Sequence, residues 1–280
     1  MANYKNAYYD IYTINNYFWE NNQGKLTVPS NNRSIHNYCH YRNNSGKDDC
    51  HDYFEMASSG VIHVLKTLKD KYNLEDDKLA EYAILFLSYK LNKYTRNKFA
   101  NLNDFYTEYI ETNNDYNQKI KDSDSLTYKD IINKKKDLMN IKEISNFDYP
   151  FNILLFLYNE TNKNSLDCTK HSDYAKKFAD EFEKLNKDSN NIGRSSYNKM
   201  LYRLSDDYNN LKNKCTDFPP LPKIKTPPSK LIPALSAFSV IPVFFGIAYK
   251  YSLFGVDKLF QRQYLRKKLK KITKKMKLNI

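Results

Sequence analysis

Nineteen consecutive residues near the C-terminus, Leu231–Tyr249 (LIPALSAFSVIPVFFGIAY), carry no charged side chain. At about 1.5 Å of rise per residue, a helix of this length reaches roughly 28 Å, close to the ~30 Å hydrocarbon core of a bilayer. A core helix of a globular domain normally shows a polar stripe, and here only Ser236 and Ser239 interrupt the apolar run. The segment therefore reads as a transmembrane helix. Pro233 falls in its first turn, where a missing N–H costs little, and Pro242 predicts a mid-span kink. Tyr249 and Tyr251 suit the aromatic belt at a membrane–water interface.

That span divides the chain into residues 1–215, a helical body; 216–230, a stalk; 231–249, the span; and 250–280, a basic tail. Residues 250–280 hold eleven Lys and Arg against the one acid Asp257, so ten of the thirteen net positive charges lie there. Arg262, Arg266, Lys267, Lys268, Lys270, Lys271, Lys274 and Lys275 alternate with Leu265, Leu269, Ile272 and Met276. The pattern suits an amphipathic helix on anionic lipid, with about 1 kcal/mol of attraction per basic residue near the surface. A solvated basic tail is the plain alternative. The positive-inside rule puts the whole tail in the cytosol. The nearest flanks tie, however, with Lys223, Lys225 and Lys230 facing Lys250, Lys258 and Arg262, so the reverse orientation stays open. Met1–Glu20 has no apolar core, and no cleavable signal peptide is expected. Thr216–Lys230 (TDFPPLPKIKTPPSK) holds five of the nine prolines and reads as an extended, semi-rigid stalk.

Upstream of the stalk the apolar period is helical, so the fold class is all-α. Leu102, Phe105, Tyr106, Tyr109 and Ile110 make one stripe. Tyr174, Phe178, Phe182 and Leu185 make a second, with Ser172 as its expected N-cap. Tyr197, Leu201, Leu204, Tyr208 and Leu211 make a third, after Ser195 or Ser196 as cap. Leu79–Leu91 is expected to be the central core helix, and Pro150 followed by FNILLFLY a buried helix with proline in its first turn. Asn113–Ser125 reads as a polar surface loop. The 25 tyrosines are expected to fill helix interfaces while their hydroxyls reach water.

Several functions are disfavoured by the same arithmetic. With the tail set aside, the body carries little net charge, which argues against a nucleic-acid-binding surface. The six glycines are scattered, which excludes a P-loop, a dinucleotide fingerprint and a kinase Gly-rich loop. No nucleophile elbow, zinc-protease helix or calcium loop is present; catalytic residues, a small-molecule substrate and a cofactor are not expected. Acidic pairs such as Asp48-Asp49, Asp76-Asp77 and Asp206-Asp207 read as solvated helix ends or turns.

The four cysteines, Cys39, Cys50, Cys168 and Cys215, all precede the span. Their even number, with the sequons at Asn32, Asn43 and Asn159, favours an oxidising compartment. Four cysteines allow three pairings. Cys39–Cys50 with Cys168–Cys215 closes the smaller loops, worth about 3 and about 4 kcal/mol by loop entropy, but sequence does not fix the pairing. The rival reading is zinc, because His36, Cys39, His40, Cys50 and His51 lie close together; their spacing matches no standard finger. His63 and His171 stand alone and read as surface or core-edge residues.

Taken together, NLNDFYTEYI (Asn101–Ile110), KKKDLMNIKEISNF (Lys134–Phe147), SSYNKMLYRLSDDYNNLKNKC (Ser195–Cys215), KLIPALSAFSVIPVFFGIAYKYSLFG (Lys230–Gly255) and the tail motif QRQYLRKKLKKI resemble the Plasmodium interspersed repeat (PIR) family, the variant antigens of malaria parasites. The resemblance runs from about Tyr38 to the C-terminus. It implies a helical, cysteine-containing ectodomain, one C-terminal transmembrane helix and a short cytoplasmic tail. It also implies export toward the infected red-cell surface or the parasite vacuole membrane. The partners implied are the lipid bilayer and a host-cell surface receptor or antibody, and the role antigenic variation without catalysis. An intracellular membrane-anchored adaptor, its body facing the cytosol, is the alternative. Members commonly carry a cysteine near the N-terminus and another in the segment matching NILLFLYNE, where this chain has ANYKNAYY and Leu155-Phe156. If those two pair in relatives, the N-terminal thirty residues here lack that tether.

Overall fold

Apolar residues at helical spacing, stopped by caps, set the elements. The chain's computed structural model describes residues 4–28, 34–41, 49–121, 125–188 and 195–225. Helix α1 (Tyr4–Asn15) leads into a short hairpin, β1 (Trp19–Glu20) against β2 (Leu26–Thr27), paired antiparallel. A 3-10 turn, Ser34–Tyr38, precedes α2 (Tyr53–Tyr72). Helix α2 starts at Asp52, whose carboxylate accepts from the N–H groups of Phe54 (2.8 Å) and Glu55 (2.9 Å). It ends at Asn73, which takes the left-handed conformation (φ 46°) that closes a helix. Next come α3 (Asp76–Lys93) and α4 (Leu102–Phe105), the latter continued by a π turn over Tyr106–Ile110. Helix α5 (Tyr128–Asn133) opens with a reciprocal Thr127–Asp130 capping box and is followed by α6 (Lys136–Met139). The last three helices are α7 (Asp148–Asn162), α8 (Ser172–Lys187) and α9 (Ser195–Lys212).

Every residue of α3 from Leu79 to Ser88 is buried, so this helix needs cover on all sides. The cover comes from α1, α2, α5 and α7. Gly60 lets α2 approach closely, because a Cβ there would lie 3.1 Å from the Phe86 ring. Helix α7 is the second hub, packing on α1, α8 and α9. The central-helix and buried-proline-helix expectations both hold, and the third stripe, Tyr197 to Leu211, is wholly buried.

Several expectations fail for identifiable reasons. Tyr174 is exposed, and Ala175 takes its place on the inner face of α8. The cap of that helix is His171, whose ring accepts the Asp167 N–H (3.1 Å), while Ser172 lies within the first turn and donates to the Thr169 carbonyl (2.7 Å). Helix α9 begins at Ser195 itself. Asn113–Ser125 is more than a surface loop: Asn113, Asp115, Tyr116 and Ile120 are buried, and the Tyr116 hydroxyl donates to the Ser58 carbonyl (2.8 Å). The N-terminal helix is firmly held without a bridge. Ala7, Tyr8 and Ile11 are fully buried, and Tyr8 stacks on Tyr158 of α7 with centroids 4.4 Å apart. Thus the two segments in which relatives commonly carry cysteines lie on packed neighbours, α1 and α7.

The first ten residues of the expected stalk also belong to this unit. Phe218 is buried, and the Tyr208 hydroxyl donates to the Pro219 carbonyl (2.9 Å). The Asn186 amide donates to the Lys223 carbonyl and accepts the Lys225 N–H, both at 2.8 Å. Among the described residues no helix is long and apolar enough to cross a membrane. Residues 226–280, with the expected span and the basic tail from Arg262 to Lys275, lie outside the described residues.

Candidate functional site

Two disulfides fix the surface loops to the helices. Cys39 follows the 3-10 turn and Cys50 precedes the cap of α2; they are bonded, with Cα atoms 5.1 Å apart. Cys168, in the α7–α8 connection, is bonded to Cys215 beyond α9, with Cα atoms 5.3 Å apart. Cys215 is buried, whereas Cys168 is reachable by solvent. The zinc alternative is thereby corrected, because both sulfurs of the cluster are spent on one bond. The histidines also diverge. The buried His36 ring accepts the Cys50 N–H (3.2 Å), His40 Nδ1 lies 2.8 Å from Asp115, and His51 Nδ1 lies 3.3 Å from Glu55. Among the described residues no group of three His, Cys, Asp or Glu side chains is set to hold a metal ion.

The sequon at Asn159 is not a surface acceptor. Asn159 is 1% exposed inside α7, so a glycan there is incompatible with the folded body. The sequons at Asn32 and Asn43 lie outside the described residues.

Beneath the loops the interior is polar where helices converge. Asp207 of α9 is 1% exposed rather than solvated. Its Oδ2 accepts the hydroxyls of Tyr8 (2.7 Å) and Tyr82 (2.9 Å), and its backbone carbonyl accepts that of Tyr158 (2.8 Å). Burial pushes its carboxyl up to about 6, against the lowering effect of the two phenols and of Arg203. These three hydroxyls are satisfied by protein groups rather than by water, whereas Tyr149, Tyr174 and Tyr202 are exposed. Nearby, buried Glu81 joins Arg203 (2.8 Å) and Lys135 (3.2 Å), and Lys135 also reaches Asp77 (2.7 Å). These charges clamp α3 to α9 and to the α5–α6 junction.

A crevice lies on another side of α3. It has a volume of about 560 Å³ and lies between the hairpin, the end of α1 and the C-terminal turns of α3. The hairpin is pinned by Glu20, whose two oxygens accept the Thr95 N–H (2.8 Å) and hydroxyl (2.6 Å). These bonds hold the Glu20 carboxyl below its ordinary value. At Gly24 φ is +72°, and a Cβ would come within 2.6 Å of the Arg96 guanidinium. In the crevice wall, the buried Lys90 ammonium donates to the carbonyls of Asn15 (2.9 Å) and Phe18 (2.7 Å) and lies 3.7 Å from the Phe18 ring centroid. Burial pulls its pKa down to about 7. Trp19, the chain's single tryptophan, stands at the mouth, 45% exposed. Neither Lys90 nor Trp19 carries a motif; the one signal in sequence is that Lys90 shares the inner face of α3 with Phe86 and Leu87.

A family model described as Plasmodium variant antigen protein Cir/Yir/Bir matches residues 8–250. A solved Plasmodium PIR protein ectodomain is similar in structure, with a TM-score of 0.59 and 32% identity, covering 80% of this chain and 98% of that one. None of the curated proteins matches the chain.

Proposed function

The chain belongs to the Plasmodium variant antigen family Cir/Yir/Bir, the PIR proteins, and from that premise we propose that it is a single-pass membrane surface antigen without catalytic activity. Leu231–Tyr249 spans the bilayer, the described helical unit is displayed outside, and the basic tail lies on the cytosolic face. The observation that carries the reading is the succession of parts. A helical unit tied by two disulfides is followed, after a short proline-containing connection, by nineteen uncharged residues. Disulfides favour an oxidising side of the membrane for the body. Display then presents loops to antibodies or host receptors over a core that holds them in place, and their variation serves immune evasion.

The test is alkaline carbonate extraction of infected-cell membranes, joined to staining with an antibody against the body before and after permeabilisation. Retention in the pellet with staining of intact cells is expected. Release into the supernatant refutes the anchor. Staining only after permeabilisation refutes surface display and returns the adaptor reading.

A further inference from the structure

We propose that the crevice between the hairpin and α3 is a binding site for an acidic saccharide, a hydroxyl-rich ring bearing a carboxylate or sulfate. This goes beyond display and does not depend on it. The cavity, about 560 Å³, falls within the ~300–1,000 Å³ typical of small-ligand sites. Its mouth carries Trp19, 45% exposed, although an indole usually buries most of its surface. An aromatic face there offers a platform for the C–H face of a sugar.

The rest of the wall supplies what hydroxyls need. Asn16 and Asn22 are solvent-reachable amides, each with two donors and one acceptor oxygen. Asn15, nine-tenths buried, keeps its Oδ1 without a hydrogen-bond partner. That oxygen is open to a donor entering the crevice, whether a water or a sugar hydroxyl. Charge then selects the class of saccharide. Glu20, the carboxylate on this wall, has both oxygens engaged by Thr95. Lys90 is held by two carbonyls, and Lys93 is exposed at the rim, 5.7 Å from the Tyr89 ring centroid. Glu20 keeps its negative charge, but its oxygens are already filled by Thr95 and the two lysines of the wall outnumber it, so an anion at the mouth meets the exposed Lys93 ammonium.

The crevice contains its own reporter, because Trp19 is the only tryptophan. The full chain is excited at the red edge, where tyrosine does not absorb, and titrated with 3′-sialyllactose, lactose 6-sulfate or lactose. A saturable change in Trp19 emission is expected with an acidic ligand, at an affinity about tenfold above that for lactose. Lys93→Gln, at an exposed position, should bring the acidic ligands down to the level of lactose while the emission of the free protein stays unchanged. A response to the sialylated ligand alone assigns the anion as carboxylate, and to the sulfated one alone as sulfate; either supports the site. Absence of a saturable change with all three, equal affinity for lactose, or unaltered affinity in Lys93→Gln overturns the proposal.

Discussion

Asp207→Asn isolates the cost of the acid at the centre of the fold. In the folded chain its carboxyl titrates at about 6, against an ordinary 3.8, because it is buried beneath Tyr8 and Tyr82. A raised carboxyl means that the folded state holds its proton more tightly than the unfolded state does. This contribution therefore favours folding at low pH and is lost as pH rises from about 4 through about 6. Across the whole window the loss is on the order of 3 kcal/mol, from about two units at 1.36 kcal/mol each. Between about pH 5 and about pH 7.5 it is on the order of 1 kcal/mol. Asparagine keeps an acceptor oxygen for a phenol and has no proton to titrate. Urea unfolding of both proteins at these two pH values gives the difference directly. Relative to the parent, the variant should be more stable at the higher pH than at the lower by on the order of 1 kcal/mol, whatever its absolute stability. A difference in stability that does not change with pH would refute the assignment of this titration to Asp207.

Replacing both Cys168 and Cys215 by Ala should lower unfolding stability by about 4 kcal/mol, and replacing both Cys39 and Cys50 by about 3 kcal/mol, both read by urea denaturation. Mild reductant followed by thiol mass labelling should open Cys168–Cys215 first, since Cys168 is the more accessible sulfur. Gly60→Ala puts a methyl 3.1 Å from the Phe86 ring, so the melting curve should show a net loss of about 1–3 kcal/mol despite alanine's better helix propensity. Asn186→Ala removes both bonds to the 223–225 segment, and trypsin should then cut after Lys223 and Lys225 several times faster with the rest of the body intact.

What the sequence disclosed depended on how local each signal was. The stripes of α7 and α9 were legible because helical period alone puts Leu201, Leu204, Tyr208 and Leu211 on one face. The same period places Asp207 three residues after Leu204 and four before Leu211, on that buried face. Its acidic neighbour Asp206 suggested a solvated pair, and composition outweighed position. Loop length, a local quantity, favoured the pairing that the structure holds while leaving the other two open, whereas the zinc alternative rested on crowding in sequence that says nothing of where imidazoles point. The crevice was invisible because it forms only when the hairpin meets the end of α3, about seventy residues away, through Glu20 and Thr95. The docked segment 216–225 was missed because prolines advertise extended backbone and say nothing about what that backbone lies against.

The interior explains how such a body can tolerate change at its surface. A core of Leu and Ile alone specifies volume more strongly than register. Here Tyr8 from α1 and Tyr82 from α3 donate to one oxygen of Asp207 on α9, so a slip of any of these three helices strands a buried polar group. The Glu81 clamp adds the α5–α6 junction through Lys135, and Lys90 ties α3 to the carbonyls at the end of α1. Buried polar pairs of this kind contribute little net stability compared with apolar packing, but they penalise alternative arrangements heavily. Loops tied to such a frame by Cys39–Cys50 and Cys168–Cys215 can change in sequence while the register beneath them stays set, and the helix hydroxyls and acids, not the loop residues, are where substitution should be least tolerated.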